Sequence, residues 1–261
     1  MSDKNSDVCL AHLVWAPLGS GPLERFLTSC ARHPAGIEHR LAVICNGFSG
    51  ADDPRLSAIA RALAGIEHEL VLTPRPVVDL AAYRQAATEL EAGTICFLNS
   101  YSRPLADRWL SKLLHPLADP AVGLVGASAS FESAYSSAPF WLRPLRRRMF
   151  GPFPSPHVRT NGFAIDRRLL LDLKWPPIDS KVSALAFEGG HASLTQQVRE
   201  RGLDVMVVGA DGIAYPAARW RESATFRAGG QRNLLIADNR TDQYEQADPR
   251  MRLRLEQMAW G

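Results

Sequence analysis

The sequence predicts an α/β fold: one mostly parallel central sheet with helices on both faces, plus a C-terminal extension. Three observations carry this. Apolar runs of strand length recur at Cys9–Ala16, Arg40–Cys45, Glu69–Leu72, Thr94–Leu98 and Val122–Gly126. Between them lie stretches with helical spacing, such as Leu23, Phe26, Leu27 and Cys30. The chain's 261 residues are 46% hydrophobic and 22% charged, a globular composition that excludes disordered, collagen-like and coiled-coil chains. Strands alternating with helices read as βαβ units, whose parallel strands are covered on both faces.

Each element has a local cause. The first run is stopped by Pro17 and Gly19-Ser-Gly-Pro, and Pro22 suits the first turn of the helix that follows. Asn46-Gly47 ends the second strand, and Asp53-Pro54 opens a helix through Leu63. Asp79 is a good N-cap for a helix to about Glu91, and Gly93 releases the chain into the fourth strand. A helix over Leu105–Leu117 carries Leu110, Leu113, Leu114 and Leu117 on one side. Ser136–Pro156 reads as an irregular basic excursion holding Arg143, Arg146, Arg147 and Arg148, with Pro144 interrupting any helix. A strand over Val158–Ile165, a short helix over Arg167–Leu173, a link through Trp175-Pro-Pro, a helix to about Arg201 and a strand over Asp204–Val208 complete the domain. The division expected is residues 1–219 as the main domain and 220–261 as an extension or lid packed on it, with a helix from about Pro249 to Met258.

Net charge is only +3, 30 Lys+Arg against 27 Asp+Glu, too dispersed for a nucleic-acid partner. Cys9, Cys30, Cys45 and Cys96 show no CxxC or zinc spacing and read as reduced core thiols of a cytoplasmic protein. The polar start, Met-Ser-Asp-Lys-Asn-Ser-Asp, lacks a signal-peptide core. No segment reaches the ~18–20 apolar residues of a membrane span, while peripheral membrane contact stays open.

In open sheets of this kind ligands gather beyond the carboxyl ends of the strands. Several segments there resemble the GT-A glycosyltransferases, the nucleotide-diphospho-sugar transferase fold, in order over roughly residues 8–215. Thr94–Leu110 resembles the family's central strand, metal-binding turn and following helix; Asp119–Ala127 resembles the next strand. Thr160-Asn-Gly-Phe-Ala-Ile-Asp-Arg resembles the strand flanking the acceptor, and Phe187-Glu-Gly-Gly-His the turn with the catalytic carboxylate before a helix. The resemblance implies a Rossmann-like domain that moves a sugar from a nucleotide-diphosphate sugar to a hydroxyl acceptor, with inversion, in polysaccharide biosynthesis.

By the same resemblance Glu188 is the base that takes the acceptor's proton, which needs an ionised oxygen within about 3 Å of the hydroxyl. A helix starting near His191 would favour its charge, and His191 would assist. Pro17, Asp79, Tyr83 and Arg84 fall where the base and ribose are held, Tyr83 by stacking, and Asn161 where sugar or acceptor lies. The metal slot departs from the family: Asn99, Ser100, Tyr101 and Ser102 stand where an Asp-x-Asp is usual. Neutral oxygens hold a divalent cation feebly, so no metal is expected, the alternative being weakly held Mn²⁺ or Mg²⁺ at that turn. Arginines then neutralise the departing diphosphate: Arg84, Arg103, the Arg146–Arg148 cluster, or Arg227 and Arg232 of a lid that also brings Trp220 and Gln231. The competing reading is a GT-A-like protein that binds a nucleotide, glycan or partner without catalysis.

Overall fold

The computed structural model describes residues 7–261; the polar start, apart from Asp7, lies outside the described residues. Eight strands form one sheet: β1 (Val8–Trp15), β2 (Arg40–Asn46), β3 (Glu69–Thr73), β4 (Thr94–Leu98), β5 (Val122–Gly126), β6 (Gly162–Asp166), β7 (Asp204–Val208) and β8 (Ala214–Pro216). Their order is β8-β7-β5-β6-β4-β1-β2-β3. β1 pairs in parallel with both β2 and β4, β2 with β3, and β7 with β5, whereas β6 runs antiparallel between β4 and β5. The expected mostly parallel sheet is therefore present, with one reversed strand inside it and β8 antiparallel at the edge. The strand order turns between β1 and β4, which opens a crevice at their carboxyl ends.

Both faces are dry, which is why the strand runs read as continuously apolar. Along β1, Cys9, Ala11 and Leu13 enter one core with Phe97, Phe163 and Trp220. Val8, Leu10 and Val14 enter the other with Phe26, Trp109 and Leu113. The period of two along a pleated strand sends alternate residues to opposite faces. The first face is covered by α3 (Asp79–Glu89), α5 (Arg167–Asp172), α6 (Lys181–Gly189) and α7 (Leu194–Glu200). The second is covered by α1 (Gly21–Arg32), α2 (Leu56–Ala62) and α4 (Trp109–Leu114).

Several boundaries differ from the sequence reading. The helix expected from Asp53 starts at Leu56, because Asp53 instead accepts from the backbone of Ser49 and Arg55. The expected Leu105–Leu117 helix is shorter: α4 is entered only after Arg108, at φ 58°, and gives way to a tight 3-10 turn over His115–Ala118 that contains Pro116. The single strand expected over Val158–Ile165 is two: His157–Val158 pair with Ala129–Ser130, and Gly162 begins β6. The Trp175-Pro-Pro link runs into an unforeseen helix, α6, started by a capping box between Ser180 and Ser183.

The tail is packed against the rest. α8 (Asn239–Gln246) is capped by Asp238, and α9 (Pro249–Trp260) by Asp248. Trp260 is buried, its indole donating to the Phe226 carbonyl at 2.8 Å. The four cysteines are free thiols, and burial pushes Cys9, Cys30 and Cys45 up to about 12.

Candidate active site

Two neighbouring regions stand at the carboxyl end of the sheet. The first is the β1–β4 crevice, where Pro17 is exposed on a single turn after β1. A Cβ on Gly47 would come within 3.6 Å of Ala16 and 3.3 Å of Pro76, so the loops after β1, β2 and β3 meet there. Gly47 also has φ +83°, so its turn favours glycine twice over. Asn46 holds the third loop in place, donating to Val77 O at 2.7 Å and accepting from Val77 N at 3.0 Å.

Asp79 is the first residue of α3, after the N-cap Val78, and its side chain caps nothing. Its side chain is exposed, although protein atoms crowd around the carboxyl. Desolvation first, then the nearby negative charge of Glu188, lift its carboxyl to about 6. Tyr83 does not serve the crevice: it is fully buried between Phe97 and Phe163, with ring centroids 4.8 and 5.9 Å away, and offers no free face for stacking. Arg84 lies over the Trp175 ring, 5.6 Å from its centroid.

The Asn99–Ser102 turn is closed upon itself. Asn99 Oδ1 accepts from Tyr101 N at 2.9 Å and from Ser102 Oγ at 2.8 Å, and Asn99 N donates to Asn161 O at 3.1 Å. Ser100 is buried. The turn's side-chain oxygens are all neutral, and those of Asn99 and Ser102 are already engaged, so they do not fit a hard divalent cation, which prefers free, anionic oxygen ligands. Among the described residues no cluster of three His, Cys, Asp or Glu suits a metal either. Arg103 points elsewhere, making a two-pronged pair with Asp242 at 2.9 and 2.7 Å.

The second region is a cleft of about 540 Å³, lined by Glu132, Ser133, His157, Arg159, Glu188, Arg227 and Arg240 among others. Glu188 is the penultimate residue of α6, so the expected positive helix end is absent: it sits near the negative end. Thr160 compensates, its backbone N–H and hydroxyl donating to Oε1 at 2.8 and 2.9 Å. Oε2 has no hydrogen bond among the described residues. His191 is outside the cleft, exposed, with Nε2 3.4 Å from the Arg147 carbonyl oxygen. α7 begins only after the N-cap Ser193, so no helix starts at His191.

Of the cleft's cations the sequence reading named Arg227 but passed over Arg159 and Arg240. Arg159 donates to Asp238 at 2.7 Å and Ser128 at 3.1 Å, with its guanidinium 3.9 Å above the Phe226 ring. Arg227 is buried and pairs with Glu132 at 2.7 Å; desolvation lowers its guanidinium pKa, and its Nε has no partner among the described residues. Arg240 is exposed and makes no ion pair among the described residues. Asn161 is buried and does not line the cleft: its Oδ1 accepts from Ser128 at 3.0 Å, while its Nδ2 is unpartnered among the described residues. Phe226, Gln257 and Met258 of the tail also line the cleft, whereas the expected Trp220, Gln231 and Arg232 do not. Trp220 is fully buried, Gln231 bridges Arg227 N and Thr241 O, and Arg232 folds back on Gly229 O at 3.2 Å. His157 adjoins Glu188's neighbour, since a Cβ on Gly189 would come within 2.9 Å of its Nδ1. The signal for Arg159 was a charged residue inside an apolar strand pattern, which folding buries only with a partner.

No protein-family model matches the chain, and no curated protein matches it by sequence. Solved structures are similar in three dimensions. One is glucosyl-3-phosphoglycerate synthase from Mycobacterium tuberculosis in complex with Mn²⁺, UDP and phosphoglyceric acid, 18% identical with TM-score 0.47, covering 76% of this chain and 66% of that one. Another is a mannosyltransferase from Pyrobaculum calidifontis in complex with GDP-Man and Mn²⁺, 15% identical with TM-score 0.47, covering 84% and 60%. Both neighbours hold nucleotides. The chain thus spans slightly under two thirds of the length of these two relatives. A third, HddC from Yersinia pseudotuberculosis, is 13% identical with TM-score 0.42, covering 69% and 83%.

Proposed function

We propose that the protein transfers a sugar from a nucleotide-diphosphate sugar to a hydroxyl acceptor, with inversion and without a tightly held metal, in the cytoplasm. The observation carrying this is Glu188: one carboxylate oxygen is anchored by Thr160 and the other is unengaged beside the cleft. A group held this way can take the acceptor's proton as the hydroxyl attacks the anomeric carbon. The nucleotide lies in the β1–β4 crevice against the Pro17 turn and Asp79. The diphosphate's charge is met by Arg227 and Arg240 rather than by the closed Asn99–Ser102 turn.

Calorimetry against UDP-, GDP- and dTDP-sugars, with and without EDTA, finds the donor; product analysis then measures transfer. Glu188→Gln is expected to keep donor affinity while lowering kcat by about 10²–10⁴, the range for loss of a general base. A Gln variant that transfers normally overturns the assignment. The self-satisfied Asn99–Ser102 turn favours one other reading, a binder that has given up catalysis. It predicts sugar-nucleotide binding with no turnover toward any hydroxyl acceptor.

A further inference from the structure

The basic excursion is not used by the proposed chemistry. From Ser133 through Ile165 the chain contains no acidic residue, while Arg143, Arg146, Arg147 and Arg148 fall within it. Its tip, two single helical turns over Phe140–Leu142 and Arg143–Arg146, stands away from both cores. Phe140 is 76% exposed, Trp141 66% and Leu145 61%, values rarely tolerated for three large apolar side chains within six residues. The Phe140 and Trp141 rings pack edge to face with centroids 5.1 Å apart, so they form one apolar knob. Arg147 and Arg148 beside it are exposed and make no ion pair among the described residues. Arg143 is tied to the carbonyls of Ala138 and Ser136, which stiffens the turn.

We propose that this knob docks the protein on an anionic lipid bilayer, Phe140, Trp141 and Leu145 entering the headgroup boundary while the arginines meet lipid phosphates. An aromatic and aliphatic tip flanked only by cations is complementary to a surface that is negative outside and apolar beneath. A protein partner is less well matched, because nothing acidic in the segment sets a register. The excursion also begins and ends at the cleft, whose walls include Ser136, Ser137, Phe150 and Phe153. Docking therefore sets the cleft mouth beside the membrane.

The test is co-sedimentation of the full chain with vesicles of phosphatidylcholine alone and of phosphatidylcholine mixed with phosphatidylglycerol, at low and high salt. Partition is expected only with the mixed vesicles and to weaken with salt. Trp141 fluorescence should shift to the blue on binding, a change absent from Trp141→Phe. The double variant Phe140→Ser, Trp141→Ser should melt as the parent does and lose roughly tenfold or more in partition. Arg147→Gln and Arg148→Gln should each lose about fivefold, the equivalent of about 1 kcal/mol per basic residue at an anionic surface. No partition of the parent onto mixed vesicles, or partition unchanged in the aromatic variant, overturns the proposal. So does a dimer in solution that the aromatic variant dissolves while vesicles are ignored. None of these readings involves turnover, so the result is independent of the proposed reaction.

Discussion

His12 lies mid-way along β1, fully buried and stacked on Phe26 at 4.2 Å between ring centroids. Among the described residues neither ring nitrogen has a hydrogen-bond partner, and burial pushes its pKa down to about 3, the nearby Ser102 backbone offsetting only part of this. The unfolded chain, with an ordinary histidine near ~6.5, then binds the proton more readily than the fold does. Stability attributable to His12 is complete above that value and falls as pH drops towards 3. At pH one unit below ~6.5 the loss is on the order of 1 kcal/mol. Urea midpoints of His12→Leu should therefore change less between pH 7.5 and pH 5 than those of the parent; an equal change would remove His12 as the cause. Asp79 has the opposite sign. Its raised carboxyl, about 6, binds protons more readily folded than unfolded, so its charge costs stability as pH rises through that value. Asp79→Asn should raise Tm at pH 7.5, with the gain shrinking below pH 6. Apolar runs made β1 legible, but a histidine within one does not disclose whether its ring is partnered. Likewise the spacing of Tyr83 marks a helix face without saying that Phe97 and Phe163 close over it.

Helix caps explain both what was legible and what was not among the elements. Pro22 at the start of α1 and Gly93 before β4 were local signals, and the structure uses them. The start of α6 was equally local, Ser180 with Ser183 three residues on, but Pro176-Pro177 masked it and Glu188 was therefore assigned to the wrong end of a helix. The cap of α8 depends on distance in sequence. Asp238 accepts from the backbone of Arg240 and Thr241 at 2.9 Å and also neutralises Arg159, which is far off in the chain and 8% exposed. Asp238→Ala would strand a buried guanidinium and uncap α8. Breaking a buried pair of this kind costs about 3–5 kcal/mol. Asp242→Ala breaks the Arg103 pair on the same helix, but both of those side chains are 30% exposed. Solvent screens such a pair, and its loss should cost about 1 kcal/mol or less. Urea denaturation of the two variants side by side checks the contrast, and equal losses would mean that Arg159 finds another partner.

At the scale of the molecule, the extension beginning near residue 220 is tied into both cores. Trp220, Phe226, Ala259 and Trp260 belong to the core on one face of the sheet, and Leu235 and Ile236 to the other. Ile236–Ala237 also pair with Arg103–Pro104, directly after the Asn99–Ser102 turn, and Phe131 N donates to Ala259 O at 2.8 Å. A lid comprising the whole tail would have to strip these contacts to open. The sequence could not show this, because polar spacers hide apolar residues whose partners lie a hundred positions away. Arg227 and Arg240, which line the cleft, come from the same tail, so residues 220–261 complete the site. Residues 1–219 alone are therefore expected to lack a cooperative thermal transition and to bind a hydrophobic dye, because two cores are left open to water. The full chain should meanwhile resist proteolysis at Gly229-Gly230 even without ligand, since their neighbours Ala228 and Gln231 are buried. A cooperative melt of the 1–219 fragment would instead make the extension a separable layer, and the arginines it brings would then be free to come and go with substrate.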